Sequence, residues 1–152
     1  EMCIRDSFTP LAKPLGTNII QLPAGPTVGL LQEGKPWPQG GLQFRGYRIA
    51  KDGTPALLYR HGKIDITDRL TPKGDGLQRR MEFSAGEGKL WVRLAVANEF
   101  LTSERGVWIG DNKLTLIAHT ASVRTLDGKA ELIAPVELKA TGNTVLEVQL
   151  SW

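Results

Sequence analysis

Cysteine is nearly absent from this sequence, and its scarcity narrows the available chemistry. Cys3 is the only cysteine among 152 residues, so the chain cannot form an internal disulfide or a cluster of thiolate metal ligands. The two-cysteine attachment motif of c-type haem is excluded for the same reason. No apolar run approaches the ~18 residues of a membrane helix, and no charged segment precedes an apolar one as in a signal peptide. We therefore expect no membrane span and no covalently held haem here.

Aromatic residues and concentrated charge are also scarce. Phe, Trp and Tyr make up 7% of the chain, and its two histidines, His61 and His119, lie far from any metal-binding spacing. The net charge is +3, but the 19 basic residues are dispersed, and only Arg79 and Arg80 are adjacent. Proteins that bind nucleic acid usually concentrate their basic residues on one face or segment. We expect no nucleic-acid partner, and no metal or other cofactor within this chain.

Glycine and proline, by contrast, are abundant, with 17 and 9 copies. Both residue types are concentrated in residues 8–41. Each proline there removes a hydrogen-bond donor from a β-ladder, so this segment can form only short edge strands, which we predict at 18–22 and 28–31. We interpret residues 8–41 as a lead-in arm lying on a β-sandwich domain of residues 42–152. Residues 1–7 look like translated sequencing-adapter read-through of a metagenomic fragment, and we expect the chain to be a piece of a larger protein.

Beyond residue 41 the sequence alternates between apolar and polar residues, interrupted by short turns. The clearest alternations, at 64–70, 90–96 and 146–152, are typical of half-buried strands. Turn sequences such as Asp52-Gly53 and Asp127-Gly128 separate the runs, and no apolar stripe has helical spacing. We predict an all-β fold with negligible helix, an antiparallel β-sandwich of jelly-roll or supersandwich type. Further strands are predicted at 42–50, 55–60, 77–83, 107–109, 113–118 and 129–133.

In the predicted strands at 90–96 and 146–152, the apolar residues lie on one face of each strand. We predict that these two faces pack together in the core. The residues concerned are Leu90, Val92, Leu94, Val96, Leu146, Val148 and Leu150.

No arrangement of residues in the sequence is typical of catalysis. Asp65 and Asp68 are three apart on one predicted strand, so they point to opposite faces and cannot flank one bond as acid and base. We interpret both as solvated, His61 as a hairpin residue and His119 as a strand-end surface residue. Ser103 lacks the glycine-flanked turn of a nucleophilic serine. The sequence predicts that this chain is not an enzyme.

Trp37 and Trp91 are the candidates for docking or ligand stacking. Trp37 stands between Pro36 and Pro38, in a rigid loop suited either to covering the core or to anchoring a neighbouring domain. Trp91 points away from the apolar face of its strand, so it lies either on a second buried face or in solvent, where it could stack on a sugar ring. Trp108 has few polar neighbours and is interpreted as core.

The order of several short motifs resembles a β-rich module of large secreted bacterial cytochrome c proteins. The resemblance covers most of residues 22–152. It is carried by Leu22-Pro23-Ala24-Gly25-Pro26, Gly34-Lys35-Pro36-Trp37-Pro38, Leu42-Gln43-Phe44-Arg45-Gly46-Tyr47-Arg48-Ile49, Asp52-Gly53-Thr54-Pro55, Leu57-Leu58-Tyr59-Arg60, Asp65-Ile66-Thr67-Asp68, Thr71-Pro72 and Leu77-Gln78-Arg79-Arg80.

This resemblance implies a periplasmic or extracellular location beside a sorbosone or glucose dehydrogenase-like propeller and a haem-binding Cys-x-x-Cys-His domain. Haem or quinone would belong to those domains, so no cofactor residue is transferred to this sequence. The implied function is that of a non-catalytic accessory or docking domain whose partners are neighbouring domains of the same polypeptide. The alternative is a carbohydrate-binding module attached to a polysaccharide-active enzyme.

Overall fold

Residues 23–152 are described by a computed structural model, and their regular structure is almost entirely β. A single short 3-10 turn at Asp111–Lys113 is the only helical element in this range, which confirms the all-β prediction. The strands are β1 Val28–Gly29, β2 Leu42–Ile49, β3 Pro55–His61, β4 Ile64–Lys73, β5 Gly76–Phe83, β6 Lys89–Ala97, β7 Leu101–Glu104, β8 Val107–Ile109, β9 Thr115–Ile117, β10 Ser122–Leu126, β11 Lys129–Glu137 and β12 Thr144–Ser151.

The strands form two antiparallel sheets that pack face to face. The small sheet has the order β1-β6-β11-β10, and the large sheet has the order β2-β3-β4-β5-β12-β9-β8-β7. Their inner faces share one apolar cluster, in which Val92 and Leu132 of the small sheet and Phe83 and Leu116 of the large sheet are fully buried. Burying a side chain of this size contributes about 1.5–3 kcal/mol. The chain is therefore an antiparallel β-sandwich.

The predicted core is correct except at Val96. Six of the seven residues lie in the shared cluster, but Val96 is 40% exposed while its neighbours Ala95 and Ala97 are buried. The pairing of β6 with β11 shifts at Leu94, where β6 carries one extra residue. Such a β-bulge moves every later side chain to the opposite face. Strict alternation across this strand was therefore the wrong assumption.

Within the described part of the chain before β2, β1 is an edge strand of the small sheet, and the residues around Trp37 lie on the outer face of that sheet. Val28 of β1 pairs with Val92 of β6, and the Arg93 amide donates to the Thr27 carbonyl. Trp37, further along, is buried. The strand predicted at 18–22, and the segment 1–7 with Cys3, lie outside the described residues.

Two of the strands were not predicted. All four residues of β7 are exposed, and β10 has no buried residue, so neither strand has an alternation of burial that its sequence could reveal. Both lie at sheet edges, where one partner strand suffices. Across residues 23–152, no helix is long and apolar enough to cross a membrane.

Candidate functional site

Trp37 belongs to the folded domain itself. Only 3% of it is exposed, and its indole Nε1 donates a hydrogen bond of 2.6 Å to the Pro26 carbonyl. The Arg93 guanidinium lies 5.2 Å from the centre of its ring, within the range of a cation–π interaction. Of the two interpretations of Trp37, its burial favours the one in which it covers the small sheet of this domain.

A buried charged network holds the layer that contains Trp37. Glu131 accepts hydrogen bonds from Arg93 and Arg124, whose guanidinium groups also donate to the carbonyls of Ala24 at 2.6 Å and Lys35 at 2.8 Å. Hydrogen bonds from charged donors are about twice as strong as neutral ones. Two arginines here share one carboxylate, and among the described residues the buried Arg93 Nε and Arg124 Nη2 have no hydrogen-bond partner. We interpret the network as a clamp between the small sheet and the preceding chain.

Trp91 occupies the same outer face but is only partly buried. The Lys89 ammonium lies 5.6 Å from the centre of its ring, so one ring face already has a cationic neighbour. Its ladder partners are Gly29 on one side and Pro135 on the other. An indole packed in this way has less free surface for stacking on a sugar than an isolated exposed ring.

The structure separates the two candidate carboxylates, as the sequence predicted. Asp65 is exposed on the outer face of the large sheet, where Arg60 Nε donates to it at 2.8 Å and lowers its pKa. Asp68 is not solvated, contrary to our interpretation. It is 3% exposed on the inner face and accepts hydrogen bonds from Arg79 Nε at 3.0 Å and Arg79 Nη2 at 2.6 Å. A carboxylate buried against arginine is a structural ion pair.

The histidines take the positions expected of them. His61 is the last residue of β3 and lies against Gly41, while His119 is exposed in the turn after β9. Within the described part of the chain, no group of three or more His, Cys, Asp and Glu side chains is close enough to hold a metal ion. A cleft between the β4–β5 turn and strands β9 and β12 has a volume of about 100 Å³. Ligand pockets are usually ~300–1,000 Å³, so this cleft is too small for a typical substrate.

The most conspicuous surface lies on strand β2, at the edge of the large sheet. Phe44, Tyr47 and Ile49 are 60%, 66% and 64% exposed, whereas most large apolar side chains of this domain are buried or half-buried. Phe44 packs against Tyr59 of β3, with ring centres 5.5 Å apart and planes tilted by 58°. We call Leu42, Phe44, Tyr47 and Ile49 the β2 strip.

The β2 strip continues the inner, core-forming face of the large sheet. Phe44 lies opposite Tyr59, which lies opposite the core residue Ile66, and residues opposite each other in a ladder share a face. The pairing of β2 with β3 shifts between Phe44 and Gly46, and Gly46 has φ of +115°. This bulge returns Tyr47 to the face of Phe44. All four apolar side chains therefore point the same way, and no strand among the described residues pairs with the free edge of β2.

Tyr59 marks the boundary between the strip and the core. Burial raises the pKa of its hydroxyl, and the nearby Asp68 carboxylate raises it further. The raised pKa is consistent with a phenol group that is partly shielded from water beside a buried ion pair. The sequence analysis did not predict this surface, because a simple alternation places Phe44 and Tyr47 on opposite faces. The signal was Gly46, a glycine inside an apolar strand that often marks a bulge.

In comparisons with known proteins, no family model matches the chain, and no curated protein and no solved structure matches it either.

Proposed function

We propose that this chain is a non-catalytic accessory domain that docks through the β2 strip onto a neighbouring domain of a secreted or periplasmic multidomain redox protein. The observation that carries the docking part is the exposure of a core-type face at the sheet edge. Three side chains of the strip are 60% or more exposed and lie on one side of one strand. The redox setting and the location rest on the motif resemblance from residue 22 onward.

The size of the strip supports an interaction role. An aromatic side chain can bury about 150–250 Å², so three large side chains exposed by nearly two thirds leave roughly 300–400 Å² of apolar surface in water. Patches of about 300–600 Å² are the largest on ordinary monomers and are often functional. The strip is therefore large enough to form the centre of an interface between domains.

The ionisable groups support a non-catalytic role. Within the described part of the chain, the buried ionisable side chains form ion pairs, Asp68 with Arg79 and Glu131 with Arg93 and Arg124. Catalytic groups usually lie in a cleft with room for a substrate. Neither buried pair lines the small cleft near β12.

The docking proposal is tested by comparing the 152-residue chain with a longer polypeptide from the same gene that includes the adjacent domain. The double variant Tyr47→Ser, Ile49→Thr removes most of the exposed strip. We expect it to lower the Tm of the longer polypeptide by several degrees and to leave that of the 152-residue chain nearly unchanged. Leu101→Ser is the matched control, since Leu101 is 60% exposed on β7 at the opposite edge of the sheet. Equal Tm values for parent and double variant in the longer polypeptide would contradict docking.

Carbohydrate binding is a second candidate function, favoured by the two exposed rings of Phe44 and Tyr47 on one face of β2. Exposed aromatic rings can stack on sugar rings, because the face of the ring is apolar while its edge remains in contact with water. The test is retention of the chain on insoluble polysaccharides. Loss of retention with Phe44→Ala and Tyr47→Ala, but not with Leu101→Ala, would support it. If Trp91→Ala alone abolished retention, the sugar site would lie on the small sheet instead.

A further inference from the structure

We propose that two copies of this domain pair antiparallel through the free edges of their β2 strands, joining the two large sheets into one continuous sheet. The inference rests on the proposed docking role of the β2 strip and adds a partner for the edge beside it. A strand at a sheet edge presents a row of main-chain donors and acceptors that another strand can satisfy. Strand β2 has eight residues, long enough for a stable ladder.

The sequence of β2 is nearly palindromic in its chemistry. If two copies pair antiparallel about the Arg45-Gly46 step, Leu42 faces Ile49 and Phe44 faces Tyr47 of the other copy. Aliphatic residues then lie opposite aliphatic residues, and aromatic residues opposite aromatic ones. Such cross-strand pairs contribute about 0.2–1 kcal/mol each, and twofold symmetry makes every pair occur twice.

The bulge makes a second copy a better partner than an unrelated strand. A bulge on a free edge normally discourages pairing, because an ordinary strand lacks the matching extra residue. A second β2 carries the same extra residue, and in this register the two bulges meet at the twofold axis. Phe44 and Tyr47 lie opposite Tyr59 and Leu57 of β3, two residues apart. Their main-chain N–H and C=O groups therefore point the same way relative to the free edge, so both residues can join the same antiparallel ladder.

The expected area makes this a weak dimer. The strip leaves roughly 300–400 Å² of apolar surface per copy, and main-chain contacts bring the total to on the order of 1,000 Å². Stable interfaces bury about 1,200–2,000 Å², so the dimer falls just below that range. We expect association at micromolar to millimolar concentration, with the two strips side by side as one broader face for neighbouring domains.

The positive charges near the twofold axis predict how salt changes the affinity of the dimer. Arg45 approaches its own copy, and both Arg45 and Arg48 are exposed. Added salt screens this repulsion and should strengthen the dimer. Binding of an acidic polymer to the same arginines would weaken with salt, so the direction of the effect separates the two.

Sedimentation velocity over about 1 μM to 1 mM protein, at low and high salt, measures the association. We expect a monomer–dimer equilibrium that salt strengthens and that Tyr47→Lys shifts at least tenfold towards monomer. Leu101→Lys, at the opposite edge, should leave it unchanged. Monomer at every concentration, or an equal effect of the two variants, would overturn the proposal.

Disulfide trapping tests the register. In a Cys3→Ser background, Phe44→Cys mixed with Tyr47→Cys should form a mixed disulfide, because directly opposite residues are about 4.5–5.5 Å apart and a disulfide spans that distance. Phe44→Cys alone should cross-link poorly, since its own copies lie about 10 Å apart along the strand. Dominant self-linking of Phe44→Cys would exclude this register. If the dimer fails while Tyr47→Ser, Ile49→Thr still destabilises the longer polypeptide, docking survives without self-pairing.

Discussion

Each of the two sheets of this sandwich has surface that lies outside the shared core, and this surface differs between the two sheets. The outer face of the small sheet carries Arg93 and Glu131 and is covered by the chain around Trp37. The inner face of the large sheet ends on β2 with exposed Phe44 and Tyr47, and no described element covers it. The outer face of the small sheet is thus covered by residues of the same chain, whereas we propose that the exposed end of the large sheet is covered by a partner.

Trp37→Ala should have the largest effect on the stability of the 152-residue chain. It empties a buried site, removes the hydrogen bond to Pro26 and removes the ring next to Arg93. Replacing a buried tryptophan by alanine typically costs about 3–5 kcal/mol. Urea unfolding measures the change. A loss below about 1 kcal/mol would mean that the layer around Trp37 does not contribute to the fold.

Glu131→Gln should come next. The amide keeps the size of the side chain but leaves Arg93 and Arg124 buried without a counter-charge. Breaking a buried ion pair from one side costs about 3–5 kcal/mol, and we expect the lower end because the amide oxygen still accepts a hydrogen bond. Chemical unfolding near neutral pH measures this. Equal stability of Glu131→Gln and the parent chain would show that the clamp is not needed.

Tyr59 should make the chain less stable in alkali. Burial raises its pKa above the ordinary value near 10, so the folded state favours the neutral phenol. The stabilisation is complete below pH ~10 and is lost as the pH rises through the pKa of the folded state. In Tyr47→Phe, Tyr59 is the only tyrosine, and the absorbance of tyrosinate should titrate above pH 10. Titration at or below that pH, or no change of alkaline stability in Tyr59→Phe, would contradict the assignment.

Substitutions in the β2 strip should have the smallest effect on the chain alone. Phe44→Ser and Tyr47→Ser change residues that are 60% and 66% exposed, and such changes usually alter stability by about 0.5 kcal/mol or less. Thermal unfolding of dilute protein measures them beside Trp37→Ala. A loss as large as that of Trp37→Ala would place the strip in the core and erase the contrast.

Alternation in the sequence predicted the strands and most of the core but not the two bulges. Val96 was assigned to the core, and Tyr47 could not be assigned to the face of Phe44, because one extra residue reverses every later side chain. Whether a strand bulges depends on its neighbours in the sheet. Gly46 marks one of the two positions, but Leu94 carries no local sign of the other.

Side-chain partners were predictable only where strands adjoin in sequence. Asp68 and Arg79 lie on β4 and β5, a hairpin whose register could have brought them together. Trp37 was ambiguous because Arg93, Arg124 and Glu131, which complete its surroundings, come from strands far along the chain. Local patterns therefore identified the faces, and tertiary contacts decided which faces are covered.

Hydrogen exchange read by mass spectrometry tests most directly whether β2 is an open docking edge. In the dilute 152-residue chain, we expect rapid exchange of the edge-facing amides of β2 and slow exchange of those amides of β6 that face β11, its partner along the whole strand. In the longer polypeptide with its adjacent domain, β2 should become protected while β6 changes little. Full protection of β2 in the dilute chain, or rapid exchange of β2 in both proteins, would contradict the account.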